Sequence, residues 1–317
     1  MSIYIFCSYF FSSFLAPKFS RMNTKSNDKK AIILALIATF FWSTVASAFE
    51  FGLKSLSPIQ FLAWVIIIAW VVLTGIGIFK KTYRHTITLK LILYSVIGGL
   101  LNPFLYYLVL FNAYDQLPAQ IAQSLNYTWP IVLVIFSAIF LKQHFKPLVF
   151  IGMLVSLGGV IVISYGSLQS SLDVTMTGII LATGSSLIWA SFWIINKLSN
   201  SDPILQIWLN FTTALILIIP YTLLTEGFKL PDTTGWLAIG YAALFEMALT
   251  FVIWLTAMKL ASSTDKISHY IYISPFLSLI FINLLLKEPI LTTTIIGLAL
   301  IITGILWTEY INKPRKQ

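Results

Sequence analysis

Glu246 is the residue of this 317-residue chain whose setting points most directly to chemistry. It sits in the apolar run Ala242-Ala243-Leu244-Phe245-Glu246-Met247-Ala248, with no basic residue within two turns on either side. A charge at mid-membrane depth costs about 2.5–3.5 kcal/mol on insertion scales, so an acid there usually faces a cavity or a partner. Such a group could carry a proton or pair with an ammonium group on a substrate; the alternative is a protonated acid bonded to a neighbouring helix. Glu50 carries less weight, because Lys54 follows at the spacing of a same-face ion pair. Asp265 and Lys266 open an apolar segment, where an acid is favoured by the helix dipole and capping is the expectation.

Further along, Gln120, Gln123 and Tyr127 recur at helical spacing, with Asn126 and Trp129 on an adjacent face. Ser268, His269 and Tyr272 form a related set ahead of Pro275. In lipid such groups either join helices or line a wet cavity that holds a substrate. Pro130 and Pro275 each remove a backbone donor, which predicts a bent helix with carbonyls free to line that cavity. Cys7 is the single cysteine, and His85, His144 and His269 are scattered, so neither a metal nor another cofactor is expected. The chain carries no nucleotide-binding loop and no Ser/His/Asp arrangement, which argues against an enzyme and leaves an ion or substrate gradient as the energy source.

The elements that must position these residues are membrane spans. Hydrophobic residues make up 58% of the chain, charged ones only 10%, and mean hydropathy is +0.89, too little polar surface for a soluble globule of this length. Apolar runs of about 20 residues, enough to cross about 30 Å of hydrocarbon, predict an all-α integral membrane protein of ten transmembrane helices. They fall at roughly 31–51, 58–79, 89–110, 118–140, 148–166, 177–196, 204–225, 236–258, 266–286 and 290–308. Residues 117–162 fall without a gap on 262–307 when displaced by 145, with Tyr127/Tyr272, Pro130/Pro275, Leu141/Leu286, Lys142/Lys287, Gly152/Gly297 and Gly159/Gly304 identical. Two five-helix repeats follow, 31–166 and 177–308, and an odd number of spans in each inverts the second in the bilayer. Residues 309–317 form a tail.

With the N-terminus inside, 17 of the 20 lysines and arginines fall in cytoplasmic segments, leaving only Lys54, Lys229 and Lys287 outside. This excess predicts a multi-pass protein of the cell inner (plasma) membrane with both termini cytoplasmic. The formal charge of +9 then reports topology, and no nucleic-acid partner is expected. Residues 3–16 are apolar but short, and charged only behind, so residues 1–30 read as an N-terminal extension with Met22 as an alternative initiator. Small residues Gly152, Ser156, Gly158 and Gly159, echoed by Gly297 and Gly304, allow close helix approach and read as scaffold or homodimer surface.

Phe41-Trp42-Ser43, Ala257-Met258 leading into Ser262-Ser263, Pro275, the run Leu284-Leu285-Leu286-Lys287-Glu288 and the glycines Gly297 and Gly304 resemble the drug/metabolite transporter (DMT) superfamily. Within it the chain is similar, over about residues 30–310, to the EamA-type ten-helix exporters. One departure is Gln143, where the family places a Glu that its counterpart Glu288 retains. The resemblance implies a secondary transporter exporting small organic metabolites, amino acids or related amines foremost, by alternating access and with proton coupling. It also implies that the first helix of each repeat borders a central cavity. Trp42 and Trp189, with Trp193 nearby, could then offer stacking or cation–π surfaces, against which ordinary packing competes. Uptake by the same fold and a membrane helper subunit without transport activity are the other readings.

Overall fold

A computed structural model of the chain describes residues 27–82, 87–114, 116, 125–142, 146–168, 175–286 and 292–312. The expected extension up to residue 26, and Gln120, Gln123, Gln143, His85, His144, Lys287 and Glu288, lie outside the described residues, as do the side chains of Glu50 and Asp265. Every regular element among the described residues is helical.

α1 spans Asp28–Leu53 and α2 Pro58–Phe79. Ser57 caps α2 through Gln60 N, and Pro58 occupies the first turn, where a missing N–H costs nothing. Then come α3 (Leu89–Gly99), a π-helical segment at Leu100–Leu105 that is broken at Asn102, whose backbone is extended, and α4 (Tyr106–Tyr114), followed by α5 (Trp129–Phe140) and α6 (Leu148–Leu168). The second part holds α7 (Met176–Ser199), α8 (Pro203–Thr225), α9 (Thr233–Tyr241), a second π-helical segment at Ala242–Ala248, and α10 (Leu249–Leu260). α11 (Asp265–Ser268), a 3₁₀ turn at His269–Tyr272, α12 (Ile273–Leu286) and α13 (Thr292–Asn312) complete it.

Among the described residues, five helices are long and apolar enough to cross a membrane: Pro58–Phe79, Leu89–Ala113, Met176–Ser199, Pro203–Thr225 and Thr233–Leu260. Trp129–Phe140, Leu148–Val162 and Ile295–Thr308 are shorter apolar helices. Val71, Ile180, Ile216 and Leu237 point outward, as side chains do where hydrocarbon is the solvent. Pro130 and Pro275 stand in the first turns of α5 and α12, immediately after the turn at Tyr127–Thr128 and the 3₁₀ segment respectively. The irregular backbone therefore precedes each proline rather than following from a bend within a continuous helix, since a proline is tolerated where a helix begins.

Two helix crossings have a reciprocal form. α6 and α13 run antiparallel, close enough that a Cβ on Gly152 would meet Gly304 O at 2.7 Å and one on Gly159 would meet Gly297 O at 2.4 Å. Under the displacement by 145, Gly152 becomes Gly297 and Gly159 becomes Gly304, so this pair of contacts maps onto itself. Ser156 Oγ donates to Ile301 O (3.2 Å) between them, and residue 301 is the image of 156. At the second crossing, Trp70 Nε1 donates to Thr212 Oγ1 and Trp208 Nε1 to Thr74 Oγ1, both at 2.9 Å, with the two indoles stacked 6.2 Å apart. Each threonine donates back to the carbonyl of the tryptophan four residues before it, Thr74 to Trp70 and Thr212 to Trp208.

α1 packs along α9 and α10. At one end Asp28 accepts from Lys266 Nζ (2.5 Å), Ser262 N (2.8 Å) and Ser262 Oγ (3.1 Å). At the other, Ser57 bonds the Glu226 carboxylate, Gln60 Nε2 donates to Gly227 O (3.1 Å) and Trp64 Nε1 to Lys229 O (3.0 Å). A buried amide chain joins α3, α7 and α8, in which Gln206 Nε2 donates to Ser95 Oγ and Asn210 Oδ1, and Asn210 Nδ2 to Asn196 Oδ1. Buried amides in a bundle core hold helices in register because each alternative pairing leaves one unsatisfied.

Candidate functional site

The second π-helical segment carries Glu246. A π turn shifts backbone pairing by one residue and bulges the helix, and such bulges frequently occur at functional positions. Thr250 Oγ1 donates back to Phe245 O, five residues earlier, which holds the widened turn. Glu246 is buried, with 8% of its surface accessible. Tyr107 Oη donates to Glu246 Oε1 at 2.6 Å, and Trp42 Nε1 to Glu246 O at 3.2 Å. Among the described residues no basic side chain pairs with this carboxyl. The acid therefore rests against a tyrosine from α4 and a tryptophan from α1, with no cation holding its charge.

Trp42 also opens a nest of indoles drawn from four helices. Its ring centroid lies 5.4 Å from Trp254, 5.7 Å from Trp189, 6.2 Å from Trp193 and 6.4 Å from Trp129. Trp129 is 6.1 Å from Trp189 and 5.6 Å from Trp254, while Trp189 and Trp193 are 5.7 Å apart. Offset and edge-to-face geometry at these separations adds about 0.5–1.5 kcal/mol per pair beyond area burial. Phe251 closes one side against Trp189 and Trp193. Tyr106 stacks on Trp189 at 4.4 Å beside Tyr107, which links the nest to Glu246.

The nest is unevenly satisfied. Trp42 has its acceptor on the Glu246 backbone, whereas the indole N–H groups of Trp189, Trp193 and Trp254 have no hydrogen-bond partner among the described residues. An unpaired buried donor costs about 1–3 kcal/mol. Three of them in one cluster is more than packing alone requires.

Of the residues singled out from sequence, Glu246, Trp42 and Trp189 come together here, with Trp193 beside them. Asn126 stands one step away, accepting from Tyr106 Oη (3.1 Å) and donating to Ser185 Oγ (2.9 Å). Tyr127 lies apart from the nest and donates to Ser274 Oγ (2.9 Å), tying the start of α5 to α12. His269 packs against the Tyr270 ring, and Tyr272, fully buried with a hydroxyl that has no partner among the described residues, sits on a turn packed against α1, α6 and α13. Neither is among the residues in ring contact with the nest. Lys54 has its ammonium 5.5 Å from the Phe51 ring, the side chain of Glu50 expected to pair with it lying outside the described residues, and Lys266 pairs with Asp28.

Sequence reading passed over Tyr106, Tyr107, Trp254 and Phe251. Trp254 lies two turns beyond Glu246 on the same helical run, a spacing that could have drawn attention to it. Tyr107 meets Glu246 across 139 residues of chain, and no local pattern signals that pairing.

Comparisons with known proteins agree with this architecture. The model of the EamA-like transporter family matches residues 29–165 and again 176–310. The chain is 25% identical over 225 residues to an uncharacterized transporter, YvbV, of Bacillus subtilis, covering 70% of this chain and 73% of that one. It is likewise 25% identical over 285 residues to an uncharacterized transporter of Archaeoglobus fulgidus, covering 87% and 97%. A crystal structure superposes with a TM-score of 0.76 at 21% identity, over 91% of this chain and 99% of that one, which establishes a shared fold. With family models matching most of its length and apolar helices throughout, the chain belongs to the EamA-like transporter family and is a membrane transporter.

Proposed function

We propose that this chain is a secondary transporter that exports a small organic metabolite, an amino acid or related amine, by alternating access of two inverted five-helix halves. The observation that carries the reading is the pairing of Glu246, a buried acid that no cation among the described residues joins, with a nest of five indoles contributed by both halves of the chain. A carboxyl of this kind exchanges a proton or an ammonium group at low cost because no fixed positive charge competes for it. The aromatic walls suit an amphiphilic organic molecule. The self-mapping crossing of α6 with α13 supports the inverted arrangement, since antiparallel equivalents meet in this way about a two-fold axis in the membrane plane, and the reciprocal antiparallel crossing of α2 with α8, its tryptophans 138 residues apart, is of the same kind. Placement of lysine and arginine supports an inner-membrane protein with cytoplasmic termini.

The test is counterflow of labelled amino acids and amines in proteoliposomes, wild type beside Glu246→Gln, with and without an imposed pH gradient. Saturable exchange by the wild type is expected. The variant should retain exchange and lose proton-driven accumulation. Accumulation undiminished in the variant would remove Glu246 from coupling, and flux linear in substrate would replace the carrier with a channel.

A further inference from the structure

Three indole N–H groups, on Trp189, Trp193 and Trp254, are at least 96% buried, lie in one cluster, and have no hydrogen-bond partner among the described residues. Indole nitrogen donates and never accepts, so whatever satisfies these groups must bring acceptor atoms. Edge-to-face neighbours supply weak N–H···π contacts at best, which recover a fraction of a true bond. In hydrocarbon surroundings water is not at hand to make up the rest. The clustering matters more than any one orphan: Trp189 and Trp193 are 5.7 Å apart, Trp193 and Trp254 6.4 Å, and all three border Trp42. Trp42 in turn donates to the backbone of Glu246, so an acceptor-seeking surface and a carboxyl adjoin each other.

We propose that Trp189, Trp193 and Trp254 form an acceptor-binding subsite that takes the carboxylate of a zwitterionic substrate while its ammonium group faces Glu246. The assignment rests on the transporter reading above and narrows it: a free amino acid fits both surfaces, whereas the corresponding amine leaves the indole donors unmet. A site with buried donors discriminates steeply against an analogue lacking the acceptor, because refusal leaves those donors unpaired. In the present conformation the rings close on one another, so binding parts them and exchanges ring contacts for hydrogen bonds.

The experiment is competition against counterflow in proteoliposomes. Amino acids are compared with their decarboxylated amines, such as tryptophan with tryptamine and lysine with cadaverine, for wild type, Trp189→Phe and Trp254→Phe. Phenylalanine keeps an aromatic ring and deletes the donor. Wild type should favour each amino acid over its amine by roughly tenfold or more, the scale of one charge-assisted bond, and each variant should cut that ratio severalfold. The ratio is the readout, so a general loss of rate does not imitate the result. Equal competition by amine and amino acid in wild type would overturn the subsite while leaving a carrier of amines standing. A wild-type preference untouched in both variants would assign the carboxylate to other groups and overturn it as well. If monodisperse wild-type protein exchanged neither class, the transporter reading of the site would fall, and the subsite with it. Should one variant fail to fold, Trp193→Phe takes its place, and the ratio in the variants that fold decides.

Discussion

Gly304→Ala tests the close crossing of α6 with α13. A Cβ at residue 304 would stand 2.1 Å from Ser156 Oγ and 2.3 Å from Gly152 O, against a comfortable separation of about 3.5 Å. The Gly152 carbonyl belongs to the α6 backbone and cannot rotate away, so the helices must part by about 1 Å where they cross. Overpacking of that kind costs about 1–3 kcal/mol, and loss of the bond from Ser156 Oγ to Ile301 O adds about 0.6 kcal/mol at the average for membrane bundles. Gly158→Ala is the matched control, because nothing lies within 4 Å of its Cβ; there the helix gains about 0.8–1 kcal/mol of propensity without a clash. Because Gly304→Ala receives the same propensity gain, the two variants should differ by about 2–3 kcal/mol, roughly 5–10 °C in Tm on the scaling for domains of 150–250 residues. Thermal unfolding in detergent, followed by tryptophan fluorescence, reads this difference. Gly159→Ala, the image of Gly304→Ala, should fall alongside it, its Cβ being 2.4 Å from Gly297 O. Equal stability of the Gly304 and Gly158 variants would refute the close approach, and divergence of Gly304 from Gly159 would refute the self-mapping of the crossing.

Trp70→Phe and Trp208→Phe should each cost about the same, near 0.6 kcal/mol, because each deletes one arm of a reciprocal pair; the double variant should depart from additivity because the rings touch, and unequal single costs in thermal melts would contradict the reciprocity. Asp28 carries a pH signature. Partial burial raises its carboxyl, but the Lys266 and Ser262 bonds and the Lys266 charge together outweigh that and hold it below the usual carboxylate range. A depressed folded-state acid contributes stability above its unfolded value, about 3.9, and loses it as pH falls through the folded value. Wild type should therefore exceed Asp28→Asn in melting temperature near pH 6 and lose that margin in acid below about pH 4; a margin independent of pH would remove the ion pair as its source.

How much of this was legible in the sequence differs by kind of signal. Pro58–Phe79 stands out as an uninterrupted apolar run, and its helix begins and ends at the expected residues because Ser57 and Pro58 mark the start locally. The π-helical segment at Ala242–Ala248 was invisible, since shifting a hydrogen-bond register by one residue leaves hydropathy unchanged, whereas the break at Asn102 falls before Pro103, where a residue is biased away from helical backbone. Glu246 announced itself by charge in an apolar run, and the small-residue spacing of Gly152 and Gly159 foretold a close crossing without naming α13 as its partner. Trp254 and Tyr107 did not announce themselves: in a chain with 15% aromatic residues, one more ring in a span reads as packing until its neighbours are known. Asn126 and Tyr127 illustrate the converse, because polar groups in a span must bond something and both meet neighbouring helices.

The two reciprocal crossings and the two end clusters differ in a way that bears on the proposed alternating access. When inverted halves exchange conformations, a contact that maps onto itself is required in both end states, whereas one that maps elsewhere is free to form in only one. Gly152 with Gly304 and Gly159 with Gly297 exchange places under the displacement by 145, whereas Trp70 with Thr212 and Trp208 with Thr74 form a reciprocal pair at a displacement of 138. These can act as fixed bearings. Asp28 with Lys266 at one end, and Ser57 with Glu226 and Trp64 with Lys229 at the other, join α1 and α2 to the second half and do not map onto themselves. Such bonds at the ends of the bundle hold two long apolar helices together through a few polar groups that water can replace at modest cost. The nest lies between them, held by ring contacts that are individually worth little more. Motion of the halves about the bearings would then break inexpensive contacts at one end, part the indoles, and leave both crossings closed throughout.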